Sequence, residues 1–247
     1  TLAVGVSKAT ATVLPTVTAK AKGAITANSL SIQAFLLKPS SGYSAEAEAT
    51  GSAGGLIGID ATIATAKTDA AAVTSYVDAA STLIIGGATL VAATGNTRQR
   101  ADANSNTGGL VAVGASTAKA SSNTTTSAYL GENVKLTGGS LTVSATGTDE
   151  NFAETTSGSF GLAGVASAKS ETTTTSTTKA WIVSPTDLSK KIDLSGDFQV
   201  AAEHTAKPNS KIRSLAGGLF GGAGAEADNT VTSTVEANVG ANVDVFA

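Results

Sequence analysis

His204 is the single histidine of the 247-residue chain, and cysteine is absent. A Ser-His-Asp arrangement would rest on that one residue. Its surroundings, Ala202-Glu203-His204-Thr205, read as a strand end or loop, so a solvated or structural histidine is expected. Histidine-rich and thiolate metal sites are out of reach of this composition. An oxygen-only calcium site built from scattered Asp residues is the cation chemistry that remains. The calcium-binding nonapeptide pattern is missing, because Gly221-Gly222-Ala223-Gly224-Ala225 lacks the Asp that should follow. The same Gly-rich stretch, Leu215 to Gly224, has no following Lys-Ser/Thr and no βαβ context, so it is not a phosphate-cradling loop. No cluster of acids suited to glycoside chemistry is legible. The expectation is a non-enzymatic chain with no cofactor.

Binding residues are easier to find than catalytic ones. Tyr76, Tyr129 and Trp181 occupy equivalent places in three successive sequence repeats, so in a stacked architecture they would form one row. Pointing outward, the row could stack on sugar rings; pointing inward, it would fill the core or a corner. The inward arrangement is the expectation. Thr124 to Thr126 and Thr172 to Thr175 would place threonine rows on the surface of a flat sheet, where ordered water, and so ice, is a competing ligand. The ordinary role of such residues is strand propensity with solubility. Asn123-Thr124-Thr125 is a glycosylation sequon, meaningful only in a glycosylating host. Two departures from the repeat, Val183 to Lys191 with its Lys190-Lys191 pair, and Lys207 to Lys211, read as insertions and hence as loops where subunits or ligands would make contact.

What positions these residues is a repeat. A Gly-Leu phrase recurs at Gly54-Gly55-Leu56, Gly108-Gly109-Leu110, Phe160-Gly161-Leu162 and Gly217-Gly218-Leu219, with a degenerate copy at Leu2. The Leu-to-Leu steps are 54, 54, 52 and 57 residues. Each phrase leads into a small-residue segment such as Leu110-Val111-Ala112-Val113-Gly114-Ala115. A Ser/Thr-rich stretch ending in an aromatic and an aliphatic residue follows. The third segment alternates, with Leu141, Val143 and Ala145 on one face and Thr142, Ser144 and Thr146 on the other, the period of a half-buried strand. Helical periodicity is hard to find, and the Ala-rich run Ala70 to Ala80 aligns with a Thr-rich strand, so it too is read as strand.

Composition agrees. Only 14% of residues are charged and 4% aromatic, with 41% hydrophobic and a mean hydropathy of +0.15. Disordered chains combine low hydropathy with high net charge, whereas the net charge here is −3. The 16 basic residues form no dense cluster, so nucleic acid is an unexpected partner. No apolar run of about 18 residues could span a bilayer as a helix. The chain contains no Met and opens without a signal-like segment, which reads as a boundary inside something longer; lack of both sulfur residues suits an oxidising exterior.

A unit of about 54 residues with three or four short strands cannot bury its own apolar face, so copies must stack on a shared core. The expected fold is all-β: one continuous parallel β-solenoid (β-helix) rod over residues 1–247. Its repeats run approximately 1–53, 54–107, 108–159, 160–216 and a partial 217–247. Whether each unit supplies two coils or one coil with a projecting hairpin is open at this point. Tandem antiparallel β-sandwich modules are the alternative.

The run from Gly109 to Gly147 resembles segments of the large secreted filamentous adhesins, or haemagglutinin-like exoproteins, of Gram-negative bacteria. The resemblance rests on Val113-Gly114-Ala115, on Asn123-Thr124-Thr125-Thr126-Ser127-Ala128-Tyr129-Leu130 and on Gly138-Gly139-Ser140-Leu141-Thr142-Val143. It implies right-handed parallel rods, export to the cell surface, and roles in adhesion, aggregation or matrix building. The expected function is thus an extracellular structural segment of a fibre, surface coat or matrix, self-associating end to end or continuing in the same array. The alternative is a module that binds glycans or another cell surface, with Tyr76, Tyr129, Trp181, Lys190 and Lys191 as the ligand or assembly surface.

Overall fold

A computed structural model describes residues 1–246. The first strands are β1 (Leu2–Val13), β2 (Thr16–Ala21), β3 (Ala24–Ala27) and β4 (Leu30–Leu36). Three long, bent strands follow: β5 (Ala45–Val77), β6 (Thr82–Leu130) and β7 (Lys135–Thr174). The remainder are β8 (Thr177–Ile182), β9 (Ile192–Leu194), β10 (Phe198–Gly217), β11 (Phe220–Val231), β12 (Thr234–Val239) and β13 (Val245–Phe246). No helix occurs among the described residues.

Every strand pairing among them is parallel. That excludes the antiparallel sandwich alternative. Partners are far apart in sequence: Leu2 pairs with Ile57, Gly54 with Gly108, Gly108 with Phe160, and Phe160 with Gly217. The chain therefore makes one wide circuit between a residue and its ladder partner. Among the described residues ladder partners lie 52 to 59 residues apart and none pair antiparallel, as the strands of a hairpin would.

Each circuit is flat. Past a Gly-Leu edge the chain doubles back, and its two limbs face each other through side chains. Ser159 Oγ donates to the Val165 carbonyl at 2.7 Å, and Ser170 Oγ to the Ala153 carbonyl at 2.7 Å. A serine spans the gap because the limbs meet there through alanine: Ala64, Ala66, Ala101, Ala103, Ala118 and Ala120 are fully buried. The opposite end is wider and filled by Leu83, Ile85, Val91, Leu130, Leu136, Leu141 and Val143. Period-2 alternation supplies both regions, one inward side chain for each outward one.

Glycine shapes the narrow edge. A Cβ on Gly109 would collide with the Gly55 carbonyl oxygen, and one on Gly161 with that of Gly109. These are backbone contacts between successive circuits, so only glycine lets the edges stack. The opposite corner turns through left-handed residues, Ala80 (φ 57°), Asn133 (φ 59°) and Asn242 (φ 61°), which follow Tyr76, Tyr129 and Asn238 by four positions each. Asn tolerates this region and alanine does not, at a cost of about 1 kcal/mol. Ala80→Asn is therefore expected to raise stability by about 0.5 to 1 kcal/mol, read as a higher denaturant midpoint at unchanged slope.

Two sequence expectations need correction here. Thr124 and Thr126 point into the molecule, as do Thr172 and Thr174, each 2% exposed or less, so only the alternate residues Thr125, Thr173 and Thr175 face outward and the tracts are not continuous surface rows. A Thr-Thr-Thr tract in a strand sends alternate residues to opposite faces; inside, Thr174 accepts from Asn151, while the hydroxyls of Thr124 and Thr126 have no partner. Lys207 to Lys211 is no insertion: it lies within β10, in unbroken register with Glu150 to Glu154. Pro208 fits there because β10 pairs on one side only, where a missing N–H costs little. The lengthening of the fourth circuit comes from Val183 to Lys191, which does form a loop.

Candidate functional site

Tyr76, Tyr129 and Trp181 are aligned in register on three successive circuits. Their neighbours Val77, Leu130 and Ile182 fill the core, so alternation turns the aromatic side chains outward, against the inward expectation. Tyr76 and Tyr129 stack at 4.9 Å between centroids and 6° between planes, and Tyr129 and Trp181 at 4.5 Å and 12°. The stack runs along the ladder direction, so each inner ring spends its faces on its neighbours. Burial against the neighbouring rings, followed by the negative field of Tyr76 and Asp78, raises the Tyr129 phenol above its usual range. Two ring faces lie at the column's ends, beside Lys20 and beside Asn238. The short Asn238 leaves a shallow recess over Trp181, flanked by Lys179 and Glu236, which are paired at 2.9 Å.

The lysines named with the aromatic row lie at the corner instead. Lys191 reaches Asp244 at 3.6 Å and sits 5.1 Å from the centre of the Phe246 ring. The Lys190 amide donates to the Asp187 carbonyl at 3.0 Å. Their loop is docked on the preceding circuit through Asn133, whose Oδ1 accepts from the amides of Thr186 and Asp187 at 2.9 and 2.8 Å. The structure thus brings the three aromatic residues together and places the two lysines apart from them.

His204 lies mid-strand in β10, neither at a strand end nor in a loop, with its side chain 3% exposed. It packs over Gly147, the ladder partner whose missing side chain leaves room for the imidazole. Its Nδ1 lies 3.1 Å from Thr178 Oγ1, and its Nε2 is 3.4 Å from Asp149 Oδ2 without hydrogen-bond alignment. Asp149 is itself fully buried, accepting from Thr97 Oγ1 at 2.6 Å and Ser176 Oγ at 2.5 Å. Nearby Asn151 Nδ2 donates to Ser122 Oγ and Thr174 Oγ1, both at 2.9 Å, and Gln99 Nε2 donates to Thr68 Oγ1. Histidine, aspartate and serine meet here, but inside a sealed polar belt between the alanine and leucine regions. The hydrogen bonds of Asp149, Asn151 and His204 to Ser176, Ser122 and Thr178 link the two limbs.

Sequence reasoning missed a second charged feature. Glu150 is the outward neighbour of Asp149 and sits in a column between Arg98 and Lys207. Its carboxylate receives Arg98 Nε at 2.6 Å, Lys38 Nζ at 2.6 Å and Lys207 Nζ at 3.3 Å. Burial would raise its pKa, but the three cationic donors outweigh that and hold it at about 2. Charged columns recur on the other limb, where Lys119 and Lys169 both reach Glu171, and Lys169 also reaches Glu226 at 2.9 Å. No local motif signals these groups, since the partners of Glu150 are 52 to 112 residues away.

No described group of three or more His, Asp or Glu side chains could hold a metal ion. The chain defines a class by its architecture, an all-β protein with a parallel sheet. Comparison found no matching family model, no matching curated protein and no matching solved structure.

Proposed function

We propose that this chain is a structural segment of an extracellular fibre, surface coat or matrix: a parallel β-solenoid with turns of about 54 residues, of the kind found in filamentous adhesins, with no enzymatic role. The observation that carries the reading is the ladder register. Gly54, Gly108, Phe160 and Gly217 stand side by side, as do Tyr76, Tyr129 and Trp181, so like residues from successive turns stack into columns. A chain built this way spends its chemistry on axial stacking, and its buried His204 and Asp149 serve that stacking. Self-association end to end fits the free backbone edges: β1 and β11 each pair on one side only, and a further turn, from this or another molecule, would satisfy them.

A second reading, a glycan-binding module, is favoured by one observation, the recess over Trp181 beside Asn238. A sugar ring could lie on that face, but the covered faces of Tyr129 offer nothing equivalent. Electron microscopy and fibre diffraction of the concentrated chain test the structural reading. Filaments with a meridional spacing of about 4.8 Å are expected. Isolated short rods that bind oligosaccharides, with binding lost in Trp181→Ala, would replace it with the second reading.

A further inference from the structure

The Gly-Leu edge carries an apolar surface that the fold itself does not use. Leu56, Leu110, Leu162 and Leu219 project from the edge of successive turns and are 55%, 52%, 49% and 79% exposed. Beside them runs the column of Leu2, Ile57, Val111 and Phe220, aligned by the ladder with Ala163 between the last two. The next outward column holds Val4, Ile59 and Val165, also exposed. The strip is one-sided. On this limb the first outward charges appear two columns further in, at Lys8, Lys169 and Glu226, while the other limb presents Ser52, Asn104 and Asn106 next to the edge, with the exposed Leu215 at the end of that column.

About a dozen exposed Leu, Ile, Val and Phe side chains make up the strip. Together they expose on the order of 1,000 Å², beyond the ~300–600 Å² of the largest apolar patch on an ordinary monomer. That is about the ~800 Å² each partner contributes to a standard interface. We propose that this edge is a side-to-side interface with a second copy of the chain, the two stacks lying alongside each other with their leucine edges interleaved. The occupant follows from spacing. The leucines repeat once per turn, at the ladder spacing of about 4.8 Å, and a partner fills every gap along the strip only if its own knobs repeat at that spacing. A second copy does so along its whole length, and a twofold axis across the strip makes the contact self-complementary and closed. A lipid surface is less suited, because, of the cations flanking the strip, Lys119 and Lys169 are engaged with Glu171, Glu226 and Asp228, which leaves Lys8 alone to meet lipid headgroups. The interface is independent of end-to-end growth, which uses backbone edges at the ends of the stack rather than side chains along it.

Small-angle scattering and sedimentation of the full chain over a wide concentration range test the proposal. The expected species is a dimer with a larger cross-sectional radius of gyration and unchanged length. The triple variant L56K/L110K/L162K, at exposed positions that leave the core intact, is expected to weaken dimerisation roughly a hundredfold or more. A control placing lysine on the polar limb, N104K/T156K, should leave it unchanged. Unfolding curves of all variants verify that each is folded. Association that only lengthens the particle, a dimer indifferent to the triple variant, or a monomer at all concentrations would overturn the proposal. So would a monomer that binds phosphatidylcholine vesicles through the same leucines, which would make lipid the occupant.

Discussion

Gly161→Ala is expected to destabilise the fold by about 3 kcal/mol or more, while Gly222→Ala, four residues past the equivalent edge glycine Gly218, changes stability by less than about 0.5 kcal/mol. The contrast isolates one cause. A methyl group on Gly161 enters the space of the Gly109 carbonyl oxygen and crowds that of Leu110 at 3.2 Å, all backbone of the preceding turn. No rotamer relieves a clash between a Cβ and a backbone carbonyl, so the ladder must open at the edge. On Gly222 the same methyl meets nothing within 4 Å. Denaturant unfolding of both variants measures the difference. Equal stabilities would show that the turns are not held as closely at this edge as their register requires.

Glu150→Gln should cost on the order of 2 kcal/mol at neutral pH, because it leaves Lys38, Arg98 and Lys207 converging without their anion. The carboxylate is 6% exposed, so solvent screens it little. Its pKa, about 2 in the folded chain against an ordinary 4.5, also fixes a pH window. A lowered folded-state pKa stabilises above the unfolded value, and the contribution fades as pH falls from about 4.5 toward 2. Wild-type stability should thus drop through that interval, and the variant should show a shallower acid limb. Parallel profiles for the two proteins would remove Glu150 from the account of acid sensitivity.

The all-β character was legible from short alternating segments and the absence of helical period; the parallel sheet was expected from the repeat alone, with an antiparallel sandwich left open beside it. So was the set of aromatic residues that the ladder aligns, since Tyr76, Tyr129 and Trp181 each precede an aliphatic residue of the core. Their direction was not legible. Alternation states that neighbours face opposite ways, but in a tract such as Thr124-Thr125-Thr126 both faces carry the same chemistry, and nothing local says which is inside. The same ambiguity hid His204. An interior that is apolar at one end and polar in the middle breaks the rule that polar residues mark the surface, and only the ladder, by setting His204 against Gly147, shows that the ring has room inside. Lys207 to Lys211 misled for a related reason. A proline and two lysines read as a loop, yet on an edge strand the proline lacks only a hydrogen bond that it would not have made and the lysines have solvent beside them.

The width of each circuit has a mechanical consequence. The ladder joining β6 to β7 runs from Thr82 with Lys135 to Ser122 with Thr174, interrupted by a shift between Ile85 and Ala88 and by the unpaired Leu110 at the edge. A tensile load along the stack is carried by all of those amide-to-carbonyl links in parallel, so no single link yields first except at the free rims. A narrow coil would divide the same load among far fewer. Under tension this architecture should behave as a stiff, abruptly failing element, parting between whole turns rather than unravelling residue by residue.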